Sequence, residues 1–106
     1  MEVYIVFTVE EVYEMREEFM TGLNIRSVHK TLEDAKNSII EIFRQANRYR
    51  EPEFKIDIDN LKFTEGGFNL ACSYLENCWY IKEGNCHLVI VKKKLIYNNE
   101  NGISLL

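Results

Sequence analysis

The sequence lacks the features that mark membrane, secreted and nucleotide-binding proteins. No apolar run approaches the roughly 20 residues that cross a bilayer. The N-terminal sequence MEVYI has neither the basic start nor the small-residue cleavage site of a secretory signal. Neither GxxxxGKS/T nor GxGxxG occurs, so no phosphate-binding loop is indicated. We therefore expect a cytoplasmic protein that does not bind membranes.

Cysteine occurs three times, at irregular spacings. The three cysteines, Cys72, Cys78 and Cys86, cannot all be paired, and a reduced interior is the simpler interpretation. No CxxC pair is present, and Cys86 and His87 would point to opposite faces of a strand, so we expect no metal and no cofactor. A cysteine-dependent enzyme with His29 or His87 as its base stays open as an alternative. Because neither histidine lies in a recognisable nucleophile motif, we expect no enzymatic activity.

The only proline, Pro52, follows the clearest amphipathic segment of the chain. Apolar residues recur at steps of three and four over residues 32–49, which predicts a long helix. Thr31 is suited to cap its start, with Asp34 three residues later. Acids at the beginning and arginines near the end complement the helix dipole, and Pro52 marks the stop.

Most other segments either alternate apolar with polar residues or are apolar throughout, and both patterns are typical of strands. Residues 2–10 are β-branched and aromatic and predict a central strand, and residues 24–29 predict a shorter one. The other expected elements are a half-exposed strand at 53–59, a turn at 65–67, strands at 68–75, 77–82 and 86–97, and a hairpin turn at 83–85.

These elements predict one α+β domain over residues 1–106. We expect a single, mostly antiparallel sheet of about five strands, with one long helix across a face. A short acidic helix is expected after the first strand.

Negative charge is concentrated near the N-terminus. Residues 1–20 hold six acids and one base, a local net charge of −5 in a chain of net charge −4. At about 100° per residue, residues 9–20 place their glutamates on one arc and their apolar residues opposite, which predicts the short acidic helix. Like-charge pairs on such a face cost roughly 0.2–0.5 kcal/mol each, which packing can offset. The acidic arc consists of Glu10, Glu11, Glu14, Glu17 and Glu18.

Two interpretations of the acidic arc stay open. It is either a solvated face that keeps the protein soluble, or a surface that meets a basic groove on a nucleic-acid-binding protein. The chain itself is too acidic to be a good nucleic-acid binder. Trp79 and Tyr80, with Tyr74 and Tyr97, are candidates for an aromatic partner-binding patch, against ordinary sheet packing as the alternative.

The segments VYIVF (3–7) and NIRSVHKTLEDAKNSI (24–39) resemble a pattern found in small, mostly uncharacterised bacterial and phage proteins. In that pattern a Tyr-containing strand precedes a short strand, a Thr or Ser cap and an Ala-containing helix. The acidic insertion between the two strands departs from it. The chain is also similar in type to phage-encoded inhibitors of host defence, including anti-CRISPR proteins.

We therefore expect a non-enzymatic protein-binding module in the cytoplasm of a bacterial host. The one-sided acidic arc, rather than the resemblance, indicates its partner: the basic surface of a protein that handles nucleic acid, met through the acidic helix. The alternative is a homodimer or higher homo-oligomer that uses an exposed sheet edge and the aromatic patch.

Overall fold

A computed structural model describes residues 1–13, 19–70, 73–83, 86–98 and 102–105. Over these residues the chain forms one α+β fold, as the sequence predicts. The elements are β1 (Glu2–Tyr13), β2 (Phe19–His29), α1 (Leu32–Asn47), β3 (Thr64–Leu70), β4 (Ser73–Glu83), β5 (Cys86–Asn98) and β6 (Gly102–Leu105).

The strands form an antiparallel sheet in the order β2-β1-β5-β4-β3, and β6 pairs with the end of β5. The central position predicted for the first strand is confirmed, since β1 lies between β2 and β5. Its residues are buried on both faces, which explains why Val6 and Phe7 are consecutive apolar residues. The strands predicted at 24–29, 77–82 and 86–97 are also confirmed, within β2, β4 and β5.

One face of the sheet, called the helix face below, is covered by α1. Ala35, Ile39 and Phe43 of α1 are buried against a cluster that includes Val6 and Ile90 of the sheet. The predicted cap is confirmed, because the Thr31 side chain accepts a hydrogen bond of 3.1 Å from the backbone N–H of Asp34.

The other face, called the far face below, buries an equally apolar cluster. Its members from β1 and β5 are Val3, Ile5, Phe7, Val9, Val89 and Val91. Phe68 of β3 belongs to the same cluster, and its ring centroid lies 5.2 Å from that of His87 on β5. Because β5 is two strands away from β3, roughly 9–10 Å in a flat sheet, this contact means that the β3–β4 hairpin folds over the far face.

A bulge explains how the hairpin folds over. The β3–β4 register is irregular between Gly66 and Phe68, where Gly66 has φ of +146°. Asn77 on β4, at the same level, has φ of +56°. Such bulges bend both strands. The turn predicted at 65–67 is therefore wrong: these residues lie inside β3 and bend it. The strand predicted at 68–75 is also wrong, because β3 ends at Leu70 and β4 begins at Ser73.

The half-exposed strand predicted at 53–59 is wrong as well. Short 3-10 turns occupy Pro52–Phe54 and Ile58–Asn60. The side-chain amide of Asn47 donates to the carbonyl of Ile56 and accepts from its N–H, both at 2.9 Å. These two bonds use the groups of Ile56 that a strand would need for pairing. The predicted hairpin between β4 and β5 is confirmed by their antiparallel pairing up to Glu83 and Cys86; residues 84–85 lie outside the described range.

The acidic helix predicted over residues 9–20 is wrong wherever the structure describes this segment. Residues 9–13 belong to β1, and Phe19 and Met20 belong to β2. A helix of about three turns with like-charged neighbours is marginal. In the structure this part of β1 instead pairs with β2 in an antiparallel ladder, from Val9 opposite Leu23 to Tyr13 opposite Phe19. Glu14, Glu17 and Glu18 lie outside the described residues.

Candidate functional site

The β1–β2 hairpin reaches beyond the rest of the sheet. The ladder between β1 and β5 ends at Glu10, which opposes Cys86, whereas the ladder between β1 and β2 continues to Tyr13 and Phe19. Glu10 and Glu11 are consecutive residues of a strand, so their positions alternate between the two faces.

The two aromatic candidates also lie on different faces. Trp79 is half-buried on the helix face, with its ring 5.9 Å from that of Tyr4. Tyr80 is half-buried on the far face, 5.2 Å from the ring of Phe68. The structure thus packs both residues within the sheet and does not bring them into a common exposed patch.

The outer edge of β2 carries exposed apolar residues that the sequence analysis did not select. Val6 opposes Ser27 and Phe7 opposes Ile25, so Arg26 is an extra, bulged residue. Because of this bulge, Ile25 and Val28 both lie on the far face, where they oppose Phe7 and Ile5. Their side chains are 62% and 57% exposed, and we call this pair the β2 strip.

A sequence signal for the β2 strip exists. In NIRSVH the two apolar residues are three positions apart, which is inconsistent with regular alternation and indicates a bulge between them. Ser27 lies on the helix face, opposite to Ile25 and Val28. Its hydroxyl is 2.7 Å from His29 Nε2 and 3.3 Å from the hydroxyl of Ser38 on α1.

A cleft of about 400 Å³ opens between the end of α1 and the helix face of the sheet, and we call it the α1 cleft. Its apolar lining includes Ile42, Ala46 and Leu88, and its charged lining consists of Arg26, Arg50 and Glu83. A guanidinium nitrogen of Arg50 lies 3.1 Å from a carboxylate oxygen of Glu83, which ties the chain after α1 to β4. The combination of an apolar interior with few charged groups is typical of small-molecule sites.

Of the three cysteines, the structure describes Cys78 and Cys86. Cys78 is fully buried in the far-face cluster, and its thiol donates weak hydrogen bonds to the carbonyls of Leu75 and Glu76. Burial raises the pKa of the Cys78 thiol, which disfavours the reactive thiolate. Cys86 is half-buried at the α1 cleft, and Cys72 lies outside the described residues.

Among the described residues, no group of three or more His, Cys, Asp or Glu side chains is arranged to hold a metal ion. No helix in the described part of the chain is long and apolar enough to cross a membrane. No protein-family model matches this chain, and comparison with curated proteins and with solved structures finds no similar chain.

Proposed function

We propose that this chain is a non-enzymatic protein-binding module that pairs with a second copy of itself through the outer edge of β2. The observation that carries the proposal is the β2 strip, whose two exposed apolar residues belong to an edge strand of 11 residues. Among the described strands, β2 pairs only with β1. Its outward backbone groups are therefore available to another strand.

A second copy fits this edge because an antiparallel pair of identical strands is closed by a two-fold axis. The β2 segment Phe19–Ile25 keeps a regular register with β1 and is long enough to form such a ladder. The bulge at Arg26 ends the regular segment, which sets one limit of the contact. The two copies of the β2 strip would then flank the new ladder and lose their exposure to water.

The charges along the hairpin favour the antiparallel arrangement. Residues 19–30 contain Arg26 and Lys30 and no acid, and both bases lie toward the His29 end. At the other end, Glu10 and Glu11 of β1 oppose Gly22 and Thr21 of β2. Antiparallel pairing brings the acidic end of each hairpin toward the basic end of the other, whereas parallel pairing brings like charges together.

The opposite edge of the sheet is a poorer docking edge. β3 has seven residues and is interrupted by the irregularity at Gly66. The part of β3 beyond that irregularity folds over the far face, as the contact between Phe68 and His87 shows. A partner strand would find only a short, bent ladder there.

Light scattering over a wide concentration range tests the dimer. We expect a concentration-dependent dimer that persists at high salt, because backbone pairing and apolar contact dominate it. The double variant Ile25→Lys/Val28→Lys should be monomeric with an unchanged circular dichroism spectrum. Phe54→Lys is the matched control, since Phe54 is 66% exposed and lies outside the sheet. A monomer at every concentration, or a dimer in the double variant, refutes the proposal.

A second candidate is that the acidic end of the hairpin binds the basic groove of a nucleic-acid-handling protein, as an inhibitor of the anti-CRISPR type would. The observation that favours it is the projection of the β1–β2 ladder past the end of the β1–β5 ladder. Five of the six acids in residues 1–20 fall at positions 10–18, so this end of the hairpin, called the acidic arm below, would carry negative charge. Such an arm suits a groove lined by Arg and Lys.

Charge reversal at matched positions tests this second candidate. Replacing Glu10, Glu14, Glu17 and Glu18 by lysine should abolish capture of a basic partner. The same reversal at the exposed acids Glu53, Asp59, Glu65 and Glu76 should not, although the net charge is identical. Double-stranded DNA should compete for the captured protein. Equal capture by both quadruple variants contradicts the acidic arm.

A further inference from the structure

The α1 cleft lies on the helix face and carries an inference distinct from the pairing of the β2 edge, although Arg26 of β2 lines it. We propose that this cleft binds a small amphipathic monocarboxylate. The apolar part of the ligand lies between α1 and β5, and its carboxylate pairs with the guanidinium of Arg26.

The size and lining of the cleft fit such a ligand. A volume of about 400 Å³ falls within the range of roughly 300–1,000 Å³ that is usual for small-molecule sites. Ile42 and Ala46 contribute one apolar wall from α1, and Leu88 contributes the other from β5. A flat aromatic ring or a short aliphatic chain would cover the parts of Ile42 and Ala46 that are still exposed.

The charged side chains that line the cleft favour a ligand with a single negative charge. Arg50 is already paired with Glu83 at 3.1 Å, and it also donates to the carbonyl of Phe54 at 3.5 Å. Arg26 has no hydrogen-bond or ion-pair acceptor within the part of the chain that the structure describes. The three charged groups therefore leave one cation uncompensated, which matches a monoanion.

A dianionic phosphate fits the cleft less well. It would place a second negative charge beside Glu83 and near the C-terminal end of α1, where the helix dipole is negative. A carboxylate forms two parallel hydrogen bonds with one guanidinium and leaves the pair of Arg50 and Glu83 intact. The same argument disfavours a nucleotide.

The position of Arg26 supports this role. The bulge sets Arg26 between Ile25, which faces the far side of the sheet, and Ser27, which contacts α1. As the residue without an opposing partner on β1, Arg26 can line the cleft from the edge strand. In a regular ladder Ile25 and Ser27 would share one face of the sheet. The bulge instead places them on opposite faces, with Arg26 between them.

Titration with three related probes, followed by backbone amide NMR shifts, tests the proposal. The probes are 1-naphthoate, its neutral analogue 1-naphthylmethanol, and 1-naphthyl phosphate. We expect saturable one-to-one binding of 1-naphthoate, with shifts confined to the cleft. Binding of the alcohol should be about tenfold weaker, because it lacks the charge-assisted hydrogen bonds, and the phosphate should also bind more weakly than the carboxylate.

Three variants locate the site. Arg26→Gln should reduce the affinity for 1-naphthoate to that for the alcohol, and Ala46→Trp should fill the cleft and abolish binding of both. Arg48→Gln is the matched control, because Arg48 is an exposed arginine at the end of α1 that does not line the cleft. Binding that is unchanged in Arg26→Gln and Ala46→Trp, shifts that map to the β2 strip, or no saturable binding overturns the proposal.

The ligand proposal and the dimer proposal can be refuted independently of each other. Ile25→Lys/Val28→Lys removes the apolar strip on the far face and should keep its affinity for 1-naphthoate. Ala46→Trp alters the helix face and should keep the dimer. Loss of ligand binding in the Ile25→Lys/Val28→Lys variant would mean that the probe binds the strip, which overturns the cleft assignment.

Discussion

The two faces of the sheet are equally well buried, but they are covered in different ways. A separate element, α1, covers the helix face, where Ile39 and Ile90 have no exposed surface. The sheet covers its own far face by folding the β3–β4 hairpin back over β5. The helix face is therefore set by local helix-forming sequence, and the far face depends on a bend made by Gly66 and Asn77. The folded β3–β4 hairpin does not cover the β2 strip, and this exposed strip is the surface that we propose for binding.

The largest expected effect follows from removing the cover of the far face. Phe68→Ala should lower the free energy of unfolding by about 3–4 kcal/mol, because the ring fills the space over Tyr80 and His87. Urea unfolding measures the change. Tyr74→Ala on the same hairpin is the control, since Tyr74 is 60% exposed. A loss below about 1 kcal/mol for Phe68→Ala would mean that the hairpin contributes little to the far face.

A matched pair of valines compares the faces directly. Val6 packs on the helix face and Val89 on the far face, and neither has exposed surface. Each Val→Ala substitution should cost about 2 kcal/mol, from two lost methyl groups and the remaining cavity. Equal losses in chemical denaturation would show that both faces are packed to the same density. A clearly smaller loss for Val89→Ala would show a looser far face.

The cover of the helix face also depends on the segment that follows α1. Asn47→Ala removes both 2.9 Å hydrogen bonds to Ile56 and should cost about 2 kcal/mol, because two partly buried backbone groups lose their partners. Gln45→Ala is the control, since the side chain of Gln45 donates to Glu41 on the exposed side of the helix. Thermal unfolding of the two variants compares them. Equal stability would contradict an anchoring role for Asn47.

The elements that the sequence predicts well are those with strong local signals. The helix at 32–49, the Thr31 cap and the apolar strands β1 and β5 each carry a complete pattern within a few residues. Local periodicity gave a wrong prediction where a group elsewhere in the chain determines the backbone conformation. The alternation at 53–59 is regular, yet Asn47 takes the backbone groups of Ile56 and prevents strand pairing.

The candidate sites were harder to predict than the fold, because they depend on bulges and on neighbouring strands. The helical arc of glutamates is as regular as that of α1, but residues 9–13 pair with β2, and pairing is not visible in a helical projection. As neighbours on a strand, Trp79 and Tyr80 are expected on opposite faces, but no local pattern shows that Tyr4 and Phe68 pack against them. The α1 cleft joins residues from four parts of the chain, so no single segment indicates it.

The smallest expected effect uses Cys78 to report on opening of the far face. Burial raises the pKa of its thiol above the ordinary value of 9.0, so the folded state holds the proton more tightly than the unfolded state. The resulting stabilisation is fully present below pH 9.0 and is lost as pH rises through the folded-state pKa. Native iodoacetamide labelling, read for each cysteine by peptide mass spectrometry, should therefore be slow at Cys78 and should accelerate in urea.

The Phe68→Ala variant sharpens this last measurement. If the folded hairpin is what shields Cys78, labelling of Cys78 should be faster in Phe68→Ala than in Tyr74→Ala at the same pH and without denaturant. Labelling of Cys78 in the native protein at the rate of the unfolded chain would contradict a closed far face. It would also revive the cysteine-dependent enzyme as an alternative, because it would show an accessible, reactive thiolate where the structure buries a neutral thiol.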